Sequence, residues 1–114
     1  MPFAPGATPD LVARLVADAL HRKLGQTFIV ENRPGASGNI GTDAVAKAEP
    51  DGSTIGVSIG GPLAINTLLF GRLPYDPNKD LALITMLATQ PSVLAVNSDL
   101  GVGGVAQLIE LIRR

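Results

Sequence analysis

Thr27-Phe28-Ile29-Val30-Glu31-Asn32-Arg33-Pro34-Gly35-Ala36-Ser37-Gly38-Asn39-Ile40-Gly41 is the stretch on which the fold turns. Its first five residues are short, β-rich and mostly apolar, which predicts a buried strand. The next seven, Asn32 through Gly38, combine proline, glycine and small polar residues and read as a loop. A helix is then predicted from about Asn39 to Ala48, and Pro50-Asp51-Gly52 closes the unit with a turn.

Upstream, Thr8-Pro9-Asp10 is a helix start. Threonine can cap, proline at the first helical position loses only a donor without a partner, and aspartate complements the helix dipole. Leu11, Val12, Leu15, Val16 and Ala19 then share one face, with Arg14, Asp18, His21 and Arg22 opposite, and Gly25 ends the helix. Downstream, Thr54-Ile55-Gly56-Val57-Ser58-Ile59 predicts a second strand running into Gly60-Gly61-Pro62 and a short helical piece through Leu69. Leu73-Pro74-Tyr75-Asp76-Pro77 is a surface connection. Leu81 to Thr89 and Val93 to Val96 have the character of two further strands, and Val105 to Arg114 predicts an amphipathic helix whose terminal arginines suit its dipole.

Strands alternating with helices at such short spacings predict an α/β fold, with a mostly parallel sheet and helices on both faces. Phe3-Ala4-Pro5-Gly6 leading into a helix looks like the exit from a strand, yet only two residues precede Phe3. The first strand is therefore expected to be missing from this chain, and the last helix, which stops at the chain end, to be cut short as well. With 114 residues and 46% hydrophobic content, the chain has material for one core and not for two. Residues 1–114 are expected to form a single incomplete domain.

Charge and composition remove several functions. Nine basic residues face ten acidic ones without a run of either sign, so nothing favours nucleic acid or an anionic membrane surface. Few aromatics leave no platform for stacking bases. The absence of cysteine excludes disulfides, thiolate metal sites and cysteine nucleophiles. A single histidine, His21, cannot build a triad or a histidine-rich metal site, and beside Arg22 and Lys23 it reads as a solvated surface residue. Asp76 and Asp80 lie in a polar connection, where turn formation accounts for them better than acid-base catalysis. No catalytic residue or metal ligand is expected.

Two glycine patterns remain. Gly35-x-x-Gly38-x-x-Gly41, between a strand and a helix, admits a structural loop or a dinucleotide-binding turn. Against the second, the glycine spacing differs from the fingerprint, and the following strand ends in Ile59-Gly60-Gly61 with no acid for a ribose. Pro5-Gly6-Ala7-Thr8-Pro9-Asp10 places small residues before a helix whose free amides could receive a carboxylate, or is an ordinary strand-to-helix turn. Gly60-Gly61-Pro62 is the matching loop after another strand. If the two converge, they make a concave polar site fit for a small anion.

Taken together, Pro2-Phe3-Ala4-Pro5-Gly6, Val30-Glu31-Asn32-Arg33-Pro34-Gly35-Ala36, Gly38-Asn39-Ile40-Gly41, Ala48-Glu49-Pro50-Asp51-Gly52 and Leu73-Pro74-Tyr75-Asp76-Pro77 with Lys79-Asp80 strongly resemble the Bug-type extracytoplasmic solute receptors, the binding proteins of tripartite tricarboxylate transporters. The five ordered motifs cover essentially the whole chain. The resemblance implies the N-terminal lobe of a two-lobed, periplasmic-binding-protein-like (type II) receptor, without cofactor or reaction. Such a receptor closes on a small carboxylated metabolite and delivers it to membrane permease subunits. It further implies that Phe3, Ala4, Pro5, Gly6 and Ala7, with Asp10 fixing their loop, and Gly60, Gly61, Pro62 and Asn66 face the ligand. The chain departs from the family where Ala7 and Ser37 replace glycines and Ser53 replaces a common tyrosine. A third reading is that the fragment binds nothing alone and self-associates, because the absent first strand and the apolar segment from Leu81 to Val96 leave edges and faces wanting partners.

Overall fold

The computed structural model describes residues 1–113. Helix α1 spans Thr8–Leu24. Its N-cap is Ala7, in extended backbone (φ −68°, ψ 154°), and no side chain caps it, so Thr8 is already helical and the expected threonine cap does not form. Pro9 falls in the first turn, where its absent N–H is no loss. Gly25 terminates the helix as expected: it adopts the left-handed conformation (φ 68°) and donates its N–H to the His21 carbonyl at 2.9 Å. Basic residues in the last turn complement the dipole.

After an extended passage, residues Ala36–Gly38 form a tight turn that feeds α2, Asn39–Ala46. Helix α2 stops two residues before the predicted end, where the Ala48 N–H reaches back to Val45 in a tightened last turn. Residues 54–59 pass over α2 at Gly56, where a Cβ would lie 3.2 Å from both Val45 methyls. A π-helical turn, Gly61–Ile65, runs directly into the single-turn helix α3, Asn66–Leu69. In the 73–80 connection, Asp76 accepts the Asn78 N–H and Asp80 accepts the Asp76 N–H, so both acids serve the turn as anticipated. The Asn78 N–H is the main cause holding the Asp76 carboxyl below its ordinary pKa. A 3-10 turn, Ser98–Leu100, precedes α4, Val105–Ile112. The predicted end of that helix at Arg114 lies outside the described residues.

The expected parallel sheet is overturned, since the described residues contain no β-strand. The segments 27–31, 54–59, 81–89 and 93–96 adopt no regular structure and join no ladder. The apolar content of these segments was read correctly, but a strand also needs a neighbour to receive its N–H and C=O groups. The nearest approach to such pairing is one hydrogen bond, Arg33 N–H to the Met1 carbonyl at 2.8 Å.

Without a sheet the apolar faces stay open. Leu15 is 70% exposed on the stripe of α1, and Ile84 is 82% exposed in the 81–89 segment. The radius of gyration, 18.5 Å, exceeds the roughly 13 Å of a compact chain of this length. Apart from Tyr75, what is buried is small or polar, with Pro2, Asp10, Ala13, Asn39, Thr42, Pro62 and Asn66 among it. The interior is therefore a hydrogen-bonded cluster at the loop ends.

The turn at 36–38 is strained. Gly35 (φ 126°), Ala36 (47°), Ser37 (55°) and Gly38 (88°) all have positive φ. For the two residues with a Cβ this costs roughly 1–2 kcal/mol each. Ser37→Gly is expected to stabilise the turn by about 0.5–1 kcal/mol after the entropy glycine adds to the unfolded chain. Slower amide exchange at Gly38, whose N–H closes the turn onto the Gly35 carbonyl, would register this; unchanged exchange would refute it.

Candidate ligand-binding site

The first loop is organised by Asp10. Its side chain is 2% exposed at the third residue of α1. One carboxylate oxygen accepts the Gly6 N–H at 2.9 Å and the Arg14 Nε–H at 3.0 Å. The other accepts from Asn32 Nδ2 at 2.9 Å, and the same amide also donates to the Phe3 carbonyl. Arg14 Nη2 completes the circuit to Asn32 Oδ1 at 3.3 Å. The Arg14 guanidinium, then the Gly6 N–H, then the Asn32 amide lower the Asp10 pKa from 3.8 to about 2. The resemblance assigned Asp10 the task of fixing this loop, and its hydrogen bonds are of that kind. Arg14, read as a member of a solvated helix face, stays half exposed there while spending its Nε–H on Asp10, and Arg22 pairs with Asp18 at 2.8 Å on the same helix.

The second loop is held by a buried triad. Asn39 Oδ1 accepts from Asn66 Nδ2 at 2.6 Å and from the Tyr75 hydroxyl at 3.0 Å. Asn66 Nδ2 also reaches the Ser37 carbonyl at 3.2 Å, and the Tyr75 hydroxyl lies 2.8 Å from the Pro62 carbonyl. Burial pushes the Tyr75 phenol above its ordinary pKa, a contact with the Thr42 hydroxyl pulls it partly back, and the Asp43 charge adds to the rise. Truncating Asn39 would leave one Asn66 amide hydrogen without its acceptor, at about 1–3 kcal/mol, while the Tyr75 hydroxyl keeps the Pro62 carbonyl.

The two loops meet at Gly38. A Cβ there would stand 2.7 Å from Pro62 Cγ and 3.1 Å from the tip of the Phe3 ring, so both loops press on this one backbone position. A neighbouring glycine is similarly occupied, since a Cβ on Gly41 would meet Pro2 Cα at 2.5 Å and the Arg33 carbonyl at 2.7 Å. Of the two readings of Gly35-x-x-Gly38-x-x-Gly41, the structural one fits, because Gly38 and Gly41 are covered by the protein's own residues and not open to a pyrophosphate.

Phe3, Pro62 and Asn66 are thus brought together around residues 37–39. Not every backbone amide in the two loops is available to a ligand. The Gly6 N–H is held by Asp10, and the Ala7 N–H points to the Ala4 carbonyl at 3.3 Å. The Gly60 and Gly61 amides open a helical turn, where N–H groups have no intrahelical acceptor. The Asn66 amide nitrogen is committed to Asn39 and Ser37. Ala7, with φ −68°, takes an ordinary backbone conformation despite standing where a glycine was expected. His21 lies at the far end of α1 and donates Nδ1–H to the Gln26 carbonyl at 2.7 Å. A surface depression of about 370 Å³ lies between α1 and residues 27–30, lined by Arg14, His21 and Phe28 among others, and neither loop contributes to it. Among the described residues no acidic or histidine cluster could hold a metal, and no helix is long and apolar enough to cross a membrane.

The ordered motifs that frame both loops find their counterpart in a known family. The sequence profile of the tripartite tricarboxylate transporter family receptors matches residues 12–114. This chain belongs to that family. It is 41% identical over 110 residues to BugT of Bordetella pertussis, covering 96% of this chain and 34% of the relative. It is 37% identical over 113 residues to the UPF0065 protein of the tcbD-tcbE intergenic region of Pseudomonas sp. (strain P51), covering 99% of this chain and 33% of the relative. A UPF0065 protein of Agrobacterium vitis is 34% identical over 114 residues, covering 100% of this chain and 33% of the relative. The chain therefore spans about a third of the length of the curated relatives it matches. The Bug-type receptor resemblance read from the motifs is borne out.

Arg14, Asn32, Asn39 and Tyr75 were not among the predicted site residues. The Asp10-x-x-x-Arg14 spacing was a signal that could have identified Arg14. The Asn39 contacts span 27 and 36 positions, and no local pattern announces them.

The Asp10 shift has a pH consequence. Its carboxyl titrates lower in the folded loop than in the unfolded chain, so the stabilisation is complete above 3.8 and is lost as pH falls toward about 2. Amide exchange at Gly6 is expected to accelerate across that window, beyond the intrinsic pH dependence, and Asp10→Asn should abolish the extra step. A Gly6 amide insensitive to pH in the parent chain would contradict the network.

Proposed function

We propose that this chain is the ligand-facing part of a periplasmic solute receptor, which captures a small carboxylated metabolite and passes it to the membrane subunits of a tripartite tricarboxylate-type transporter. The observation that carries the reading is the meeting of the Phe3–Ala7 and Gly60–Asn66 loops at Gly38 in a chain of this receptor family. A carboxylate suits backbone N–H donors at a helical turn, whose partial positive charge needs no ionised side chain. Gly60 and Gly61, at the start of a helical turn, would offer such donors, with Phe3 and Ala4 lining the facing loop. Gly6, Ala7, Pro5, Pro62, Asp10 and Asn66 shape and hold the loops around them. The mechanism is capture without covalent chemistry, followed by closure of a second lobe in the full-length receptor. No cofactor takes part, and enclosure by that lobe supplies most of the affinity.

Isothermal titration of the full-length receptor against di- and tricarboxylates, succinate, glutarate and citrate among them, is expected to give at least one saturable binder. Silence across the panel would overturn the assignment.

A second reading concerns the chain by itself. Its accessible surface is 8650 Å², against roughly 5,900 Å² for a compact chain of 11.7 kDa, and large apolar side chains such as Leu15, Ile84 and Val93 stand exposed on it. Isolated, it should self-associate through these faces. Light scattering is expected to show a mass that rises with concentration; a compact monomer would refute this.

A further inference from the structure

The contacts made by residues 37–39 have a use that neither the motifs nor the family assignment states. We infer that Asn39 and Tyr75 are positioning residues of the receptor site: they set where the Gly60–Asn66 loop stands relative to the Phe3–Ala7 loop, and so tune ligand affinity without touching the ligand. This inference rests on the receptor reading above and deepens it.

Four observations converge. Asn39 Oδ1 takes both the Asn66 amide at 2.6 Å and the Tyr75 hydroxyl at 3.0 Å, so one buried oxygen anchors the far end of the second loop. The single Tyr75 hydroxyl hydrogen is shared between Asn39 Oδ1 and the Pro62 carbonyl, 2.8 Å away, which ties the near end of that loop to the same point. The left-handed backbone at Ala36 and Ser37 accompanies a Ser37 carbonyl that faces Asn66 at 3.2 Å, a third anchor. At Gly38 the Pro62 ring and the Phe3 ring both reach the backbone, which leaves the second loop no room to advance. The Gly60–Asn66 loop is thus fixed by hydrogen bonds at Pro62 and Asn66 and by a steric stop at Pro62. Gly60 and Gly61, between the anchors and the open end, inherit their direction from them.

The triad also explains how a site built on main-chain donors can be exact without a sheet strand beneath it. A backbone amide cannot change rotamer, so its aim depends wholly on the segment that carries it. Loosening the anchor should weaken binding even where the chain stays folded.

The test compares the full-length receptor with its Asn39→Ala, Asn39→Asp and Tyr75→Phe variants, using whichever acid of the succinate, glutarate and citrate panel binds the parent. Tyr75→Phe keeps the ring and removes only the hydroxyl, so it guards against the possibility that Asn39→Ala does not fold. Titrations are run well below each variant's Tm, with amide NMR shifts of Gly60 and Gly61 recorded before ligand is added. Asn39→Ala and Tyr75→Phe are expected to weaken binding about tenfold and to move the Gly60 and Gly61 shifts. Asn39→Asp, which keeps both acceptor positions, should restore affinity to within about threefold of the parent. Parent-like affinity and unmoved shifts in folded Asn39→Ala and Tyr75→Phe overturn the positioning role while leaving the receptor function intact. Weakened binding that Asn39→Asp fails to restore also overturns it. A parent receptor that binds no acid in the panel overturns the receptor reading itself, and this inference with it.

Discussion

A single buried side-chain oxygen, Oδ1 of Asn39, receives the Asn66 amide and the Tyr75 hydroxyl and so binds three distant parts of the chain at one point. Polar groups out of water must be paired, and here the pairing holds because each partner supplies what the other lacks: a carbonyl, an amide and a phenol. Asn39 sits where the 36–38 turn becomes α2, Asn66 where the π-helical turn becomes α3, and Tyr75 in the connection beyond. Loss of the central acceptor would uncouple α2 from the other two segments, leaving Asn66 on the Ser37 carbonyl and Tyr75 on the Pro62 carbonyl.

Asp10 is the counterpart on the other loop, and its chemistry differs. A carboxylate with one guanidinium, one amide side chain and one backbone N–H around it is a charged acceptor with its lone pairs well used. Its place in the first turn of α1 adds favourable interaction with the helix dipole. The same hydrogen bonds that stabilise the loop remove Gly6 from the set of donors open to a ligand.

The apolar surface tells the opposite story. Ile29 at 87% exposed and Leu68 at 86% show side chains with nothing to pack against, beside polar residues that are almost fully enclosed. Hydrophobic burial is non-directional and needs a partner surface, whereas a hydrogen bond needs only one correctly placed atom. The loop ends therefore retain a defined geometry even though no sheet forms beneath them.

The sequence was sufficient where the cause is local. Gly25 had to end α1 because only a residue tolerant of positive φ closes that turn, and Asp76 and Asp80 had to serve their own connection because their acceptors lie within reach of nearby amides. The family was legible for a related reason: its motifs are runs of turn and cap residues whose spacing is fixed by backbone geometry. Thr8 was misread as a cap because threonine is suited to either side of a helix boundary, and the backbone made Ala7 the boundary. The C-terminal end of α1, the turn at 76–80 and family membership were thus determined by the sequence alone. Only the tertiary structure decided that the extended segments pair with nothing, that Gly6 is held by Asp10 and that Asn39 is the anchor. Strand pairing and buried hydrogen bonds depend on what lies across space, and residues separated by 27 or 36 positions leave no periodic trace in the chain.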